Sequence, residues 1–496
     1  MSITATKFSI YFIVCAGVLF VGGVRAQQFE ARIKIDAAST IVGVEGETLR
    51  GSSAAQVRNW TFADSAAGAE NLGERVFDFN LQDAQKRAVA VKKFSASEYL
   101  ADAPDALFWN YKIDVKSSPN PNTAAHVSRL KNEQGILMLG DLLPQFPASG
   151  NQPISARIKF ELPEGWTIIT GEKRIAENTF AVENVEKSVF LIGKNWREKK
   201  IANGDLSLAI SGDWQFSDEE AAQTVQEIFA EYKQFFGEIP NRKIQISIVH
   251  FPKEIKFGRW EAETRGANLT ILSSDMPFKT LSLQRFHEQL RHELFHLWIP
   301  NNLALEGNYD WFYEGFTIYQ ALKTGLKMNQ IRFEDFLDTL AQAYNLDNLQ
   351  TQKVSLVEAS KTRLSGANPQ VYARGMIAAF LCDVALLRAS KGKRSIADVF
   401  LAVYQRHRLP NKFQDGNAAV LDVLNGYGEL NSIVEKYIRG AGKIEWTADL
   451  ASAGIEVREE NSFARLKIVE KLRGRQKDLL NELGYNNWRK VSVKTK

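Results

Sequence analysis

The chain has 496 residues, 45% of them hydrophobic and 24% charged. That composition excludes a disordered or fibrous protein and leaves room for two to four domains. A formal net charge of +4 on this length gives no reason to expect binding to nucleic acid or to an acidic membrane surface.

The first predicted element is a leader. Lys7 precedes the apolar run "FSIYFIVCAGVLFVGGV", and "VRA" ends at Ala26. This pattern predicts a signal peptide over residues 1–26, cleaved before Gln27, and hence an exported protein, periplasmic or extracellular. An uncleaved N-terminal membrane anchor is the alternative. Cys15 lacks the small residue that a bacterial lipoprotein signal places just before its cysteine. Past the leader only Cys382 remains, in "MIAAFLCDVALL", which predicts a buried helical thiol and no internal disulfide. No later segment is read as long and apolar enough to span a membrane, so the cleaved chain is expected to keep no stable span.

Residues 27–212 read as mainly β. "ARIKID", "ARIKFELPEGWTII" and "KSVFLIG" alternate or are rich in β-branched residues, with turn residues between them, which predicts a β-sandwich-like domain. "ASEYLADAPDALFWNY" stays open between an insertion and a loop. A boundary is expected near Gly212. Ser217 and Glu220 then form a capping box, and Val225, Ile228, Phe229, Tyr232 and Phe236 repeat at helical spacing up to Gly237 and Pro240. "KIQISIVHFP" and "ANLTIL" read as strands separated by a polar loop. Residues 280–440 read as helical, and the last fifty as a strand, "FARLKIV", a helix and a basic tail. His126, His250 and His407 stand alone and are read as ordinary polar groups.

"RHELFHLWIPNNLALEGNYDWFYEGF" carries the chemistry. His292 and His296 are four residues apart, so on one helix their rings project from one face, a geometry that one Zn²⁺ accepts. Glu293 lies one step round that helix, beside the metal rather than on it, where it can take a proton from water. Glu314 follows in "DWFYEGF", with Asp310 as the expected N-cap of its helix. A carboxylate from a second helix completes a His₂Glu set and leaves one position open. Trp311, Phe312 and Phe316 are expected to keep the surroundings dry.

"HELFH" followed by "WFYEGF" resembles the gluzincin zinc metallopeptidases of the thermolysin-like clan. "HELFHLW", "VYARGMIAAFLCD" and the β-rich front are most similar to the glycyl aminopeptidase family. The resemblance implies a multidomain α+β chain: an N-terminal β-sandwich-like domain over 27–212, then a thermolysin-like, mainly helical catalytic domain over 213–445. The catalytic domain divides into an α/β part over 213–299, with the zinc helix, and a helical part over 300–445. A short extension, 446–496, stands where the family often has a full PDZ domain. By the same resemblance one zinc ion is held by His292, His296 and Glu314, Glu293 is the base, and Tyr372 stabilises the transition state. Arg374 matches a basic residue two positions on. The family's amine-binding glutamate has only loose matches here, Glu261 or Glu263 beside Gly266 in "FGRWEAETRGAN". The substrate backbone is expected to add to the strand "ANLTIL". The function implied is an aminopeptidase acting on peptides or proteins and preferring small N-terminal residues. The alternatives are an endopeptidase of the same clan and a non-catalytic exported binding protein with a structural zinc site. Oligomeric state is not legible.

Overall fold

The computed structural model describes residues 28–49, 58–102, 107–131, 133–146, 153–240, 242–365 and 368–486. The leader at 1–26 and the end of the basic tail lie outside the described residues.

The N-terminal part is sheet-rich, as its alternation predicts. Strand β1 (Phe29–Lys34) turns Phe29, Ala31 and Ile33 inward. It lies inside an eight-stranded sheet, antiparallel to β2 (Ile41–Thr48) and parallel to β5 (Ala156–Glu161). The open segment around residue 100 resolves into two strands, Glu98–Ala101 and β3 (Phe108–Asp114). A four-stranded sheet containing β4 (Gln134–Met138) and β6 (Val189–Gly193) packs against the first. Aromatic side chains close that core, with Phe160 and Phe190 at 4.8 Å between ring centres.

The second sheet system begins earlier than expected. Strands β7 (Arg197–Ile201) and β8 (Leu206–Ile210) precede Gly212, yet they pair with each other, and β8 with β9 (Ile244–His250), in a five-stranded sheet. The sheets therefore divide near residue 195 rather than at 212. The reason is that β8, "LSLAI", sets Leu206, Leu208 and Ile210 on one face and a buried Ala209 beside Ser207 on the other, so both faces need cover. Leu206, Leu208 and Ile210 join the helical core, whereas Ala209 packs with Ile136, Met138 and Leu191 of the four-stranded sheet. That second cluster ties the sandwich to the sheet that carries the site.

The edge of this sheet also differs from expectation. "ANLTIL" forms β11 (Asn268–Ser273), which lies between β9 and β10 (Trp260–Arg265) with all six residues buried. The polar stretch read as a loop is itself the edge strand β10. Its charges, Glu261, Glu263 and Arg265, share one face, and all six residues are only partly buried, which suits an edge and not an interior place.

Helix α1 (Asp218–Phe236) has the expected capping box and ends at Gly237 in the left-handed conformation. Helix α2 (Lys279–Phe295) lies on β10 and β11 and buries Phe286, Leu290 and Leu294. The helical part surrounds α5 (Gly375–Ser390), which holds the free, buried Cys382. Contrary to the reading that no later segment could span a membrane, Gln370–Ser390 passes on length and composition, with mean hydropathy 1.4. Its most apolar window is 94% buried, however, and it is the central core helix of this part. A hairpin, β12 (Ile455–Glu460) and β13 (Phe463–Ile468), and helix α6 (Gly474–Leu483) add to the same core.

Candidate metal centre

His292 lies in the last turn of α2, and His296 follows directly as its C-cap. Their Nε2 atoms are 3.0 Å apart, and Glu314 Oε2 lies 3.2 Å from His292 Nε2 and 3.6 Å from His296 Nε2. His296 Nδ1 donates to the carbonyl of Ile299 at 2.9 Å, which leaves Nε2 as its ligand atom. All three donor atoms fall within 4.8 Å of one another. Two ring nitrogens and a carboxylate oxygen this close need a shared proton or a cation among them. Burial alone lowers the pKa of His296, but Glu314 outweighs it and pushes the value up to about 9. The same contacts hold the Glu314 carboxyl well below its usual range despite burial. Nitrogen and oxygen donors in this number suit Zn²⁺.

Glu314 reaches the histidines from a π-helical stretch, Trp311–Phe316, ahead of α3 (Thr317–Lys327). Tyr372 lies in a second such stretch, Gln370–Arg374, ahead of α5. A glycine contact joins the two. A Cβ on Gly315 would come within 2.5 Å of the Val371 carbonyl and 2.7 Å of Gly375 Cα. Only hydrogen at this point lets the stretches approach, and so brings Glu314 and Tyr372 to one cleft. Asp310 stands at the expected N-cap position, but its side chain makes no capping hydrogen bond. Arg363 claims that carboxylate instead, in an ion pair of 2.6 Å.

Arg363 also donates Nη1 to Glu314 Oε1 at 3.2 Å and to the Tyr372 hydroxyl at 3.0 Å. Burial, then Glu314, hold the Tyr372 hydroxyl proton in place well above its ordinary pKa. Across the cleft, Thr264 on β10 donates its hydroxyl to Glu293 Oε2 at 2.6 Å. Asn301 fixes β10 to the end of α2, donating Nδ2 to the carbonyls of Thr264 and His296 at 3.0 and 3.1 Å. The cleft encloses about 950 Å³ between α2, β10, the Tyr372 stretch and a sandwich loop carrying Asn120 and His126.

Of the residues singled out from sequence, His292, Glu293, His296, Glu314 and Tyr372 converge, and Glu261 and Glu263 face the same cleft. Two do not belong to it. Gly266 forms the tight turn between β10 and β11 at φ 62°, its N–H bound to Asn301. Arg374 is fully buried and turned away, donating to the carbonyls of Tyr437 and Gly442. His126, read as an ordinary polar group, is hydrogen-bonded through Nδ1 to Glu263. Thr264, Asn301 and Arg363 were not singled out. Only Thr264 carried a signal, as a residue alternating with the two glutamates on what proves to be a strand.

A scan of the sequence against protein-family models finds no match, and no curated protein matches it. Solved structures do share the fold. An aminopeptidase N family protein from Idiomarina loihiensis has TM-score 0.72 at 17% identity, over 87% of this chain and 79% of that one. An M1 zinc metallopeptidase from Deinococcus radiodurans has TM-score 0.53 at 12% identity, over 84% of this chain and 95% of that one. A mutant of the Deinococcus enzyme, bound to a Tyr-Ser-Ala substrate, has TM-score 0.53 at 11% identity, covering 83% and 94%. At such identities the likeness is one of fold.

Proposed function

We propose that this chain is a zinc-dependent peptidase acting at free amino termini, with a preference for small first residues. The observation that carries the reading is the convergence of His292, His296 and Glu314 on one cleft with Glu293 and Tyr372. A cluster of three donors, rather than a closed four, is the pattern of a catalytic zinc site and argues against a purely structural ion. Zn²⁺ held there supplies a Lewis acid and lowers the pKa of water.

The chain's own groups do the rest. Glu293, aimed by Thr264, takes a proton from water at its carboxylate and passes it to the leaving amine. Tyr372 donates its hydroxyl proton to the developing oxyanion, while its oxygen accepts from Arg363. Strand β10 is the open edge to which an extended substrate backbone can add, in place of the buried "ANLTIL". Glu261 and Glu263 supply negative charge for a substrate amino group. The leader at residues 1–26 supports export to the periplasm or the extracellular space.

One observation favours an endopeptidase instead: the Glu263 carboxylate is already bound by His126. Turnover of alanyl and glycyl peptides, free and N-acetylated, by purified protein of measured zinc content separates the readings. Cleavage of free peptides alone supports the aminopeptidase, and equal cleavage of blocked ones supports the endopeptidase. A metal-replete protein that cleaves neither refutes both.

A further inference from the structure

Several deep cations are matched by acids. Arg363 has Asp310 and Glu314, Arg374 and Lys353 share Asp347, Lys323 has Asp383, and Arg75 has Asp141. Arg291 is not. It precedes the first metal ligand, is 3% exposed, and makes no ion pair among the described residues. Its single side-chain hydrogen bond runs from Nη1 to His287 Nδ1 at 2.7 Å, and its Nε is buried without a partner. Glu288, the acid that acts on it electrostatically, is bound to Arg285 at 2.7 Å.

His287 sharpens the anomaly. A guanidinium only donates, so Nδ1 must accept and the ring proton must sit on Nε2. That Nε2 is also buried and without a partner. Burial, then Arg291, lower the pKa of His287 to about 3, so the ring stays neutral. An unmatched guanidinium with a buried, orphaned Nε–H is a costly arrangement unless an anion completes it. Space is made for the guanidinium itself. A Cβ on Gly325 would fall 2.9 Å from Arg291 Cζ, so glycine on α3 seats the guanidinium. Arg291 also borders the cleft, beside Glu288, Ile318 and Leu322. Arg129 is the contrasting case. It too lacks an acid, but it gives Nη1 to the Ala124 carbonyl, leaves no buried donor orphaned, and does not border the cleft.

We propose that Arg291, held by His287, binds a monovalent anion in the wall of the cleft. The two sources of that chemistry are the terminal carboxylate of a short peptide substrate and free chloride. The first rests on the peptidase reading above; the second does not. In either case the anion replaces the missing acid, one residue from a metal ligand, and so couples occupancy of this site to the order of the metal centre.

The test begins without turnover. Thermal denaturation of the purified protein, in sulfate at constant ionic strength, is repeated as acetate or chloride replaces sulfate. Anion binding to the folded state should raise Tm by about 2–5 °C and saturate. Arg291→Gln should abolish the rise, and Arg291→Lys, which keeps the charge, should retain part of it. Hydrolysis then separates the sources. If the peptide carboxylate is the ligand, a dipeptide acid is cleaved about 10- to 100-fold more efficiently than its amide, as a hydrogen-bonded charge commands, and Arg291→Gln closes the gap. If chloride is the ligand, the amide gains about 10-fold on chloride addition and the variant does not. A wild-type protein with no Tm response and no preference for the carboxylate overturns the proposal, as does a folded Arg291→Gln that retains either effect. A Tm response in a protein with no turnover keeps the anion site and refutes the peptidase reading alone.

Discussion

Arg363 donates Nη1 to the hydroxyl oxygen of Tyr372 at 3.0 Å. A guanidinium cannot accept, so the phenolic proton is left free for another oxygen. The same nitrogen contacts Glu314 Oε1 at 3.2 Å, and Nε pairs with Asp310. One cation therefore holds Glu314 and Tyr372, the proposed third metal ligand and oxyanion donor, together. Arg363→Gln should lower kcat/KM by about 10²-fold, the usual cost of a lost or misaimed oxyanion donor. It also removes the counter-charge of buried Asp310 and one partner of Glu314, so stability to denaturant should fall by about 3 kcal/mol. Arg363→Lys should recover part of the stability and less of the rate, because an ammonium lacks the fork that spans both partners. Unchanged kinetics in Arg363→Gln would show that Tyr372 is aimed by something else.

Thr264 bears on the general base. Its hydroxyl donates to Glu293 Oε2 at 2.6 Å and lies 3.2 Å from the Glu293 carbonyl oxygen. The pair ties the edge strand to α2 at the carboxylate proposed to move the proton. Thr264→Val keeps the shape and removes the donor. We expect kcat to fall about 10-fold with KM and zinc content little changed, because a misplaced base costs orientation and not binding. Thr264→Ser should restore most of the rate. Loss of zinc in Thr264→Val would recast the residue as part of the metal site.

Much of this was legible in the sequence for a physical reason: helical periodicity places residues four apart on one face, so His292 and His296 declare their geometry. Glu314 and Tyr372 were legible through family resemblance, since nothing local shows that Gly315 and Gly375 bring two π-helical stretches into contact. The edge strand was missed because "WEAETR" sets Glu261, Glu263 and Arg265 on one face against only Trp260 and Ala262 as apolar residues on the other, an alternation too weak to read as a strand. Arg363 was illegible because its partners are 9, 49 and 53 residues away, and no local pattern records a contact at such a distance. The division between the sheets was misplaced for a related reason. β8 buries Leu206, Leu208 and Ile210 on one face and Ala209 on the other, and its sequence does not say which sheet covers it.

His126 and Glu263 link the sandwich loop to the edge strand, and their stability contribution should depend on pH. Burial lowers the pKa of His126, but Glu263 outweighs it and raises the value. Burial raises the pKa of Glu263, but His126 outweighs it and lowers the value to about 2. The contribution of Glu263 is present above its unfolded pKa, near 4.3, and is lost as pH falls toward 2. The contribution of His126 is full below its unfolded pKa, near 6.5, and is lost as pH rises through the higher folded value. The pair therefore stabilises most between about pH 4.5 and 6.5. His126→Ala should lower stability there by about 1–3 kcal/mol, as for a hydrogen bond to a charged group, and by less at pH 9. Denaturant melts at pH 5.5 and 9 measure the difference. Equal losses at both values would mean that the pair is not ionic.

Arg374 separates a substrate contact from a structural one. Its guanidinium is fully buried, 3.3 Å from an equally buried Asp347 Oδ2. It also donates to the carbonyls of Tyr437 at 3.2 Å and Gly442 at 2.7 Å, which holds that turn against α5. No such group can reach a peptide in the cleft. Arg374→Met should destabilise the fold by about 3 kcal/mol, because it strands the carbonyls and leaves Asp347 with Lys353 alone. Adding Asp347→Leu removes the stranded charge and should recover part of the loss, since an apolar pair often replaces a buried ionic one at little cost. At a temperature where the variant remains folded, its KM should equal that of the unaltered protein. A raised KM with unchanged stability would return Arg374 to the substrate site.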